Sequence, residues 1–156
     1  MRHDDAQKSC LEELRRLYAE VDALTTGFSC DVSTDCCRFG VTGREPYPTA
    51  VELAELERAV KARGGLKKSR SLPVAGERRC ALLSDEGRCM AYDARPFGCR
   101  TFFCDRARGP MGESVRELPR REIQRISRAI ADVSARFAPA DPGPRPLSRA
   151  WESRKR

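Results

Sequence analysis

Seven of the eight cysteines in this chain fall between residues 30 and 104, while its only histidine, His3, lies at the far N-terminal end. That distribution limits what the chain can fold into. The sulfurs are too clustered for casual usage, and no imidazole is placed to share a site with them.

Whether the sulfurs are bridged or free depends on the compartment. The N-terminus, MRHDDAQKSCLEELRR, alternates acids and bases where a secretory signal needs an apolar stretch, and no apolar run of about 18 residues occurs anywhere. The expectation is a soluble, cytoplasmic protein without a membrane segment. In a reducing cytosol, clustered thiols act as ligands or redox groups rather than as structural bridges.

The densest stretch is RPFGCRTFFC, Arg95 to Cys104. Asp93 and Pro96 predict a helix start, with Asp93 as cap and Cys99 one turn in. Cys104 lies five residues beyond Cys99, so the two meet at one site only if the helix ends between them. Upstream, residues 28 to 40, FSCDVSTDCCRFG, are too polar and irregular for one continuous element. They read as a ligand loop carrying Cys30, Cys36 and Cys37, its Asp, Ser and Thr favouring tight turns. Between these lies RRCALLSDEGRCMAY, which predicts two strands over 78–83 and 88–92 around the turn Ser84–Gly87. With Leu83 opposite Arg88, Cys80 and Cys89 share one sheet face.

Helices complete the chain. Ser9 with Glu12 reads as a capping box opening a helix over 9–24, with Leu11, Leu14, Leu17, Val21 and Leu24 on one stripe and Cys10 as a small buried apolar residue. Thr49 with Glu52 opens a second helix over 50–63, stopped by Gly64 and Gly65. Ile123, Ile126, Ile130, Val133 and Phe137 mark a third over 120–137. Residues 138–156, rich in proline and arginine, are expected to be a disordered tail with Trp151 as a docking residue, leaving 1–137 as a single domain.

The formal charge is +7, with net −5 over residues 1–60 and +12 over 61–156. Arg121, Arg125, Arg128 and the terminal basic run would serve a nucleic-acid adaptor. However, 25 of the 30 basic residues are arginine, as a GC-rich genome produces, acids accompany them, and stacking aromatics are few, so nucleic acid is not the favoured partner.

Thiolates are soft donors suited to zinc, Cu(I) and iron–sulfur centres, and one zinc or one 4Fe–4S cluster takes four of them. Cys36, Cys37, Cys89 and Cys99 or Cys104 would tie loop, hairpin and short helix together. Arg95 and Arg100 would lower the net charge around the thiolates. Without a useful histidine, acid–base work would fall on Tyr92, Asp93 or Asp105, which gives enzymatic chemistry little support and no catalytic residue.

The order Cys30, Cys36, Cys37, then Cys80, Leu83, Gly87, Cys89, Tyr92, Arg95, Pro96, Cys99, Arg100, Cys104 resembles the YkgJ family of cysteine-cluster proteins. The resemblance covers residues 28–104. It implies a small, mainly helical domain chelating zinc or iron, with all seven cysteines as metal residues and Tyr92, Arg95 and Arg100 around them. It implies no reaction. The family's first motif reads C-x-x-C-x-x-C-C; here Ser33 stands at the second cysteine position.

The expectation is therefore a mainly α fold with a small β-hairpin, about four helices organised around a metal–thiolate site. Its function would be structural or redox binding of zinc or iron, with a 4Fe–4S cluster as one form. The alternatives are an enzyme or accessory factor using the cluster for redox or modification chemistry, and a basic adaptor for nucleic acid or protein.

Overall fold

Helix α1, Arg2–Leu24, is longer than the periodicity alone predicts. Ser9 lies inside it rather than at its start, because Asp4 and Asp5 already supply the negative charge that a helix N-terminus favours. The structure, a computed structural model, describes residues 2–29, 34–66, 78–102, 107–114 and 117–152. Among them six α-helices follow in order: α1, α2 (Phe39–Thr42), α3 (Ala50–Ala62), α4 (Phe97–Thr101), α5 (Arg120–Phe137) and α6 (Leu147–Glu152).

The apolar stripe of α5 (Ile126, Ile130, Val133) packs on that of α1 (Leu14, Leu17, Val21), with Cys10 buried in the same cluster. Each such side chain contributes about 1.5–3 kcal/mol when fully buried. The arginine face of α5 is partly committed to α1, since Arg125 reaches Glu20 at 2.6 Å and Arg136 reaches Glu13 at 2.8 Å.

Helix α3 carries the predicted capping box, with Thr49 and Glu52 bonding reciprocally. It ends as predicted, where Gly64 and Gly65 adopt left-handed backbone and Gly65 N–H closes on Val60 O at 2.9 Å. Both its sides are buried. Val51 joins the α1–α5 cluster, while Leu53, Leu56 and Val60 join a second cluster with Phe39, Cys80, Leu82 and Leu83. This helix is the partition between a helical layer and a sulfur-rich lobe.

The chain after Ala138 differs from the disorder its composition suggests. Pro142 O accepts from Ala50 N at 2.9 Å, and Leu147 N donates to Pro46 O at 3.1 Å. Leu147, Ala150 and Trp151 of α6 are buried in the second cluster. The prolines have no N–H to satisfy, so the segment lies against the loop before α3 with few orphan donors.

The predicted hairpin is not present. Among the described residues there is no β-ladder, only the isolated bridges Ser29–Arg108, Arg38–Arg79 and Leu83–Cys89. The cause is local: Leu83 N–H bonds Cys80 O at 3.1 Å, turning the chain at Ala81–Leu82 and ending the first arm after one pair. The register is also one residue off, with Leu83 opposite Cys89 instead of Arg88. Cys80 instead follows a bridge to the loop of Cys37. Among the described residues no helix is long and apolar enough to cross a membrane.

Candidate functional site

Thr34 sits in left-handed backbone (φ 59°) and starts the 3-10 turn Asp35–Cys37, placing Cys36 and Cys37 on a tight bend rather than an extended run. A left-handed threonine costs about 1–2 kcal/mol, so the surrounding loop must hold it there. Cys80 N–H donates to Cys37 O at 2.8 Å, and Phe39 N–H to Arg78 O at 3.1 Å, which clasps the Cys80 segment to that turn. Cys89 is set by Ser84 N–H on Arg88 O (2.8 Å) and Met90 N–H on Leu82 O (2.8 Å). Cys99 rides on α4.

Pro96, not Asp93, precedes this helix; its ring disfavours helical backbone at Arg95, so α4 begins at Phe97 and Asp93 falls in the 3-10 turn Tyr92–Ala94. The Phe97 N–H is satisfied from across the fold by Glu52 Oε1 at 2.7 Å. Helix α4 ends at Thr101, before Cys104, as a shared site would require.

These segments converge. Cys36, Cys37, Cys80, Cys89 and Cys99 line one cavity of about 650 Å³, together with Tyr92, Arg95 and Arg100. Cys30 and Cys104 lie outside the described residues. All five cavity thiols are free; Cys36 is exposed, Cys37, Cys89 and Cys99 are half-buried, and Cys80 is buried. Among the described residues no set of three His, Cys, Asp or Glu side chains is arranged to hold a metal ion.

The electrostatics divide the thiols into two kinds. A hydrogen bond from the Cys37 thiol pulls Cys36 down to about 6, and pushes Cys37 itself up. Burial raises Cys80 to about 12 and also raises Cys89 and Cys99; neighbouring sulfurs add to each rise. Against burial, the Leu82 N–H bonds Cys80 and the Ala91 N–H bonds Cys89, so twice the amide two residues on points at the sulfur. Arg95 favours the thiolates of Cys89 and Cys99.

Arg100 is only 3% exposed and is engaged elsewhere. It donates to Asp22 Oδ2 (2.6 Å), Asp93 O (2.6 Å) and Arg95 O (2.8 Å), with its guanidinium 4.0 Å over the Tyr18 ring. Its part is to fasten the Asp93–Arg95 turn to α1. Arg95 stacks 3.9 Å over Tyr92. Glu52, 2% exposed, accepts from Thr49 N, Thr49 Oγ1, Tyr18 Oη and Phe97 N. This carboxylate anchors the start of the helix that carries Cys99.

Sequence reasoning missed Arg44, Glu45, Tyr47 and Leu147, which line the same cavity together with Phe102. GREPYP carries no ligand pattern; the fold seats it between α4, where Gly98 lies close to Pro46, and α6, where Leu147 N donates to Pro46 O. No family model, curated protein or solved structure matches this chain.

Proposed function

We propose that this is a metal-binding protein that chelates zinc or iron through cysteine thiolates, in the manner of the YkgJ-type cysteine-cluster proteins its motif resembles. The observation that carries the reading is the convergence of five thiols, from four segments separated in sequence, on one cavity. The donor chemistry fits: thiolates select zinc, Cu(I) and iron–sulfur centres over hard cations. Amide hydrogens aimed at Cys80 and Cys89 favour their charged forms, and a bound cation would lower the burial-raised thiols further.

Cys80, Cys89, Cys99 and one of the Cys36–Cys37 pair are the ligands in this reading, with Cys30 and Cys104 as further donors. The metal would supply cross-linking of the loop, the bridge and α4, or an electron-transfer centre. Arg95 offsets negative charge, while Arg100 and Glu52 position the backbone.

The test is elemental analysis and absorption spectroscopy on protein purified anaerobically. About one equivalent or more of zinc or iron per chain is expected, and a brown chromophore identifies an iron–sulfur form. Less than about half an equivalent of zinc plus iron, with no visible absorption, overturns the reading.

A second reading rests on Cys36. It is the exposed thiol of the cavity and is held at about 6, which makes it a thiolate nucleophile at neutral pH. That supports redox or modification chemistry at Cys36, with the other thiols as its surroundings. The basic-adaptor reading is weaker, since Arg125 and Arg136 are paired with acids of α1 and α5.

A further inference from the structure

The cavity is larger than a thiolate centre requires. Zinc–sulfur bonds are about 2.3 Å, so a single ion and its ligands occupy one end of such a space. A volume of about 650 Å³ lies in the range of sites for small organic molecules.

The lining other than sulfur has its own character. Among the described residues four large hydrophobic side chains are strongly exposed, and two of them, Tyr47 (60%) and Tyr92 (58%), stand on this cavity. Exposed tyrosines at the edge of a mainly apolar hollow provide stacking faces with polar tips, a common composition of ligand sites. Phe102 adds a third ring, with the Arg44 guanidinium 5.4 Å from its centre.

Charge is equally one-sided. Among the described residues Arg44 has that ring contact and no ion pair, and Arg78 has only a long 3.5 Å bond to Phe39 O. Among the described residues Glu45 is the one carboxylate on the cavity wall, and it accepts from Ser148 N at 2.6 Å. Two arginines whose donors are largely unused among the described residues therefore line an apolar, aromatic space.

We infer that this cavity binds a small organic anion beside the thiols, with its apolar body against Tyr47, Tyr92 and Phe102 and its carboxylate, sulfonate or phosphate on Arg44 and Arg78. The arginine fork suits a planar or tetrahedral oxyanion, and ring stacking selects an apolar body of about one or two rings. This site shares the cavity of the proposed metal centre but does not require the metal.

The experiment uses the full chain, reduced and anaerobic, in metal-free and zinc-loaded forms whose metal content is measured on the same samples. 2-Naphthoate, neutral 2-naphthalenemethanol and cationic 2-naphthylmethylammonium are titrated by calorimetry and ligand-observed NMR. Saturable one-site binding of naphthoate is expected in both forms, about tenfold or more tighter than the ammonium analogue. Arg44→Gln with Arg78→Gln should weaken naphthoate about tenfold without affecting naphthalenemethanol, Arg44→Lys should keep most of the preference, and Arg121→Gln should change nothing. Equal binding of anion and cation, an unchanged double variant, or no saturation overturns the inference. Competition by stoichiometric zinc overturns the separation of the anion site from the thiol ligands. Naphthoate binding to protein that takes up no metal sinks the metal reading alone, and metal uptake without naphthoate binding sinks this one alone.

Discussion

The amide of Cys80 donates to the carbonyl of Cys37 at 2.8 Å, so two sulfur-bearing segments 43 residues apart are joined through their backbones. The bond runs between main-chain groups and uses neither sulfur. In reduced, metal-free protein, the Cys80 amide should therefore exchange with solvent at least about tenfold more slowly than an unstructured amide, and Cys37→Ser should leave that protection in place. Hydrogen exchange read by NMR checks it; free exchange at Cys80 would mean that the clasp forms only with metal.

Among the described cysteines, Cys36 should be the first to alkylate in metal-free protein. A thiol held at about 6 reacts as thiolate, so its iodoacetamide rate should rise through about pH 6 and level off by neutral pH. Cys80, raised to about 12, and Cys99, raised by burial, should stay slow until much higher pH. Cys37→Ala removes the donor and should move the Cys36 transition upward. Mass spectrometry of alkylated peptides over a pH series gives both results.

Glu52 gathers four donors from three parts of the chain. Glu52→Ala strands them in the interior and should destabilise the protein by about 3 kcal/mol or more in urea unfolding. Tyr18→Phe, which removes one donor and leaves the carboxylate paired, should cost about 1 kcal/mol.

Glu55 gives the fold an acid limit. Burial raises its pKa, but hydrogen bonds from Arg58 and Arg15 outweigh burial and set it at about 2, against an ordinary 4.5. A carboxylate with a depressed pKa stabilises the fold above the unfolded value, and that contribution fades as pH falls from about 4.5 toward 2. Both arginines are about half exposed, so screening limits the effect to about 1–2 kcal/mol. Glu55→Gln should remove this part of the stability–pH slope in chemical denaturation between pH 2 and 5.

The chain's only tryptophan is 7% exposed, so native fluorescence should be blue-shifted and should red-shift on unfolding together with loss of helical circular dichroism. Trp151→Ala should cost about 3–5 kcal/mol in denaturant unfolding. A red-shifted native spectrum would mean that α6 does not dock.

What could be read from the residues in advance was local. The Thr49–Glu52 box and the Gly64–Gly65 stop bounded α3, and five apolar positions bounded α5, because caps and periodicity act within a few turns. The misses that shape the site involve partners distant in sequence. The turn Ser84–Gly87 predicts a hairpin through Cys80, yet the Cys80 amide goes to Cys37 while a tight local turn ends the first arm. The proline-rich surroundings of Trp151 predict a loose tail, yet it is buried in one cluster with Leu53, Leu56 and Phe39. Of the site, the sulfurs and Arg95 are visible as a pattern; Arg44 and Tyr47 are not, since only the fold brings them to the same cavity.

Leu147 both lines the cavity and belongs to the core cluster beneath it. During synthesis the five described cysteines of the cavity leave the ribosome before this residue does, and a domain folds as a unit. For that interval the sulfurs stand without the wall that Leu147 supplies. An oxidant then meets them by a wider route than the finished protein offers, in a window that closes when α6 docks.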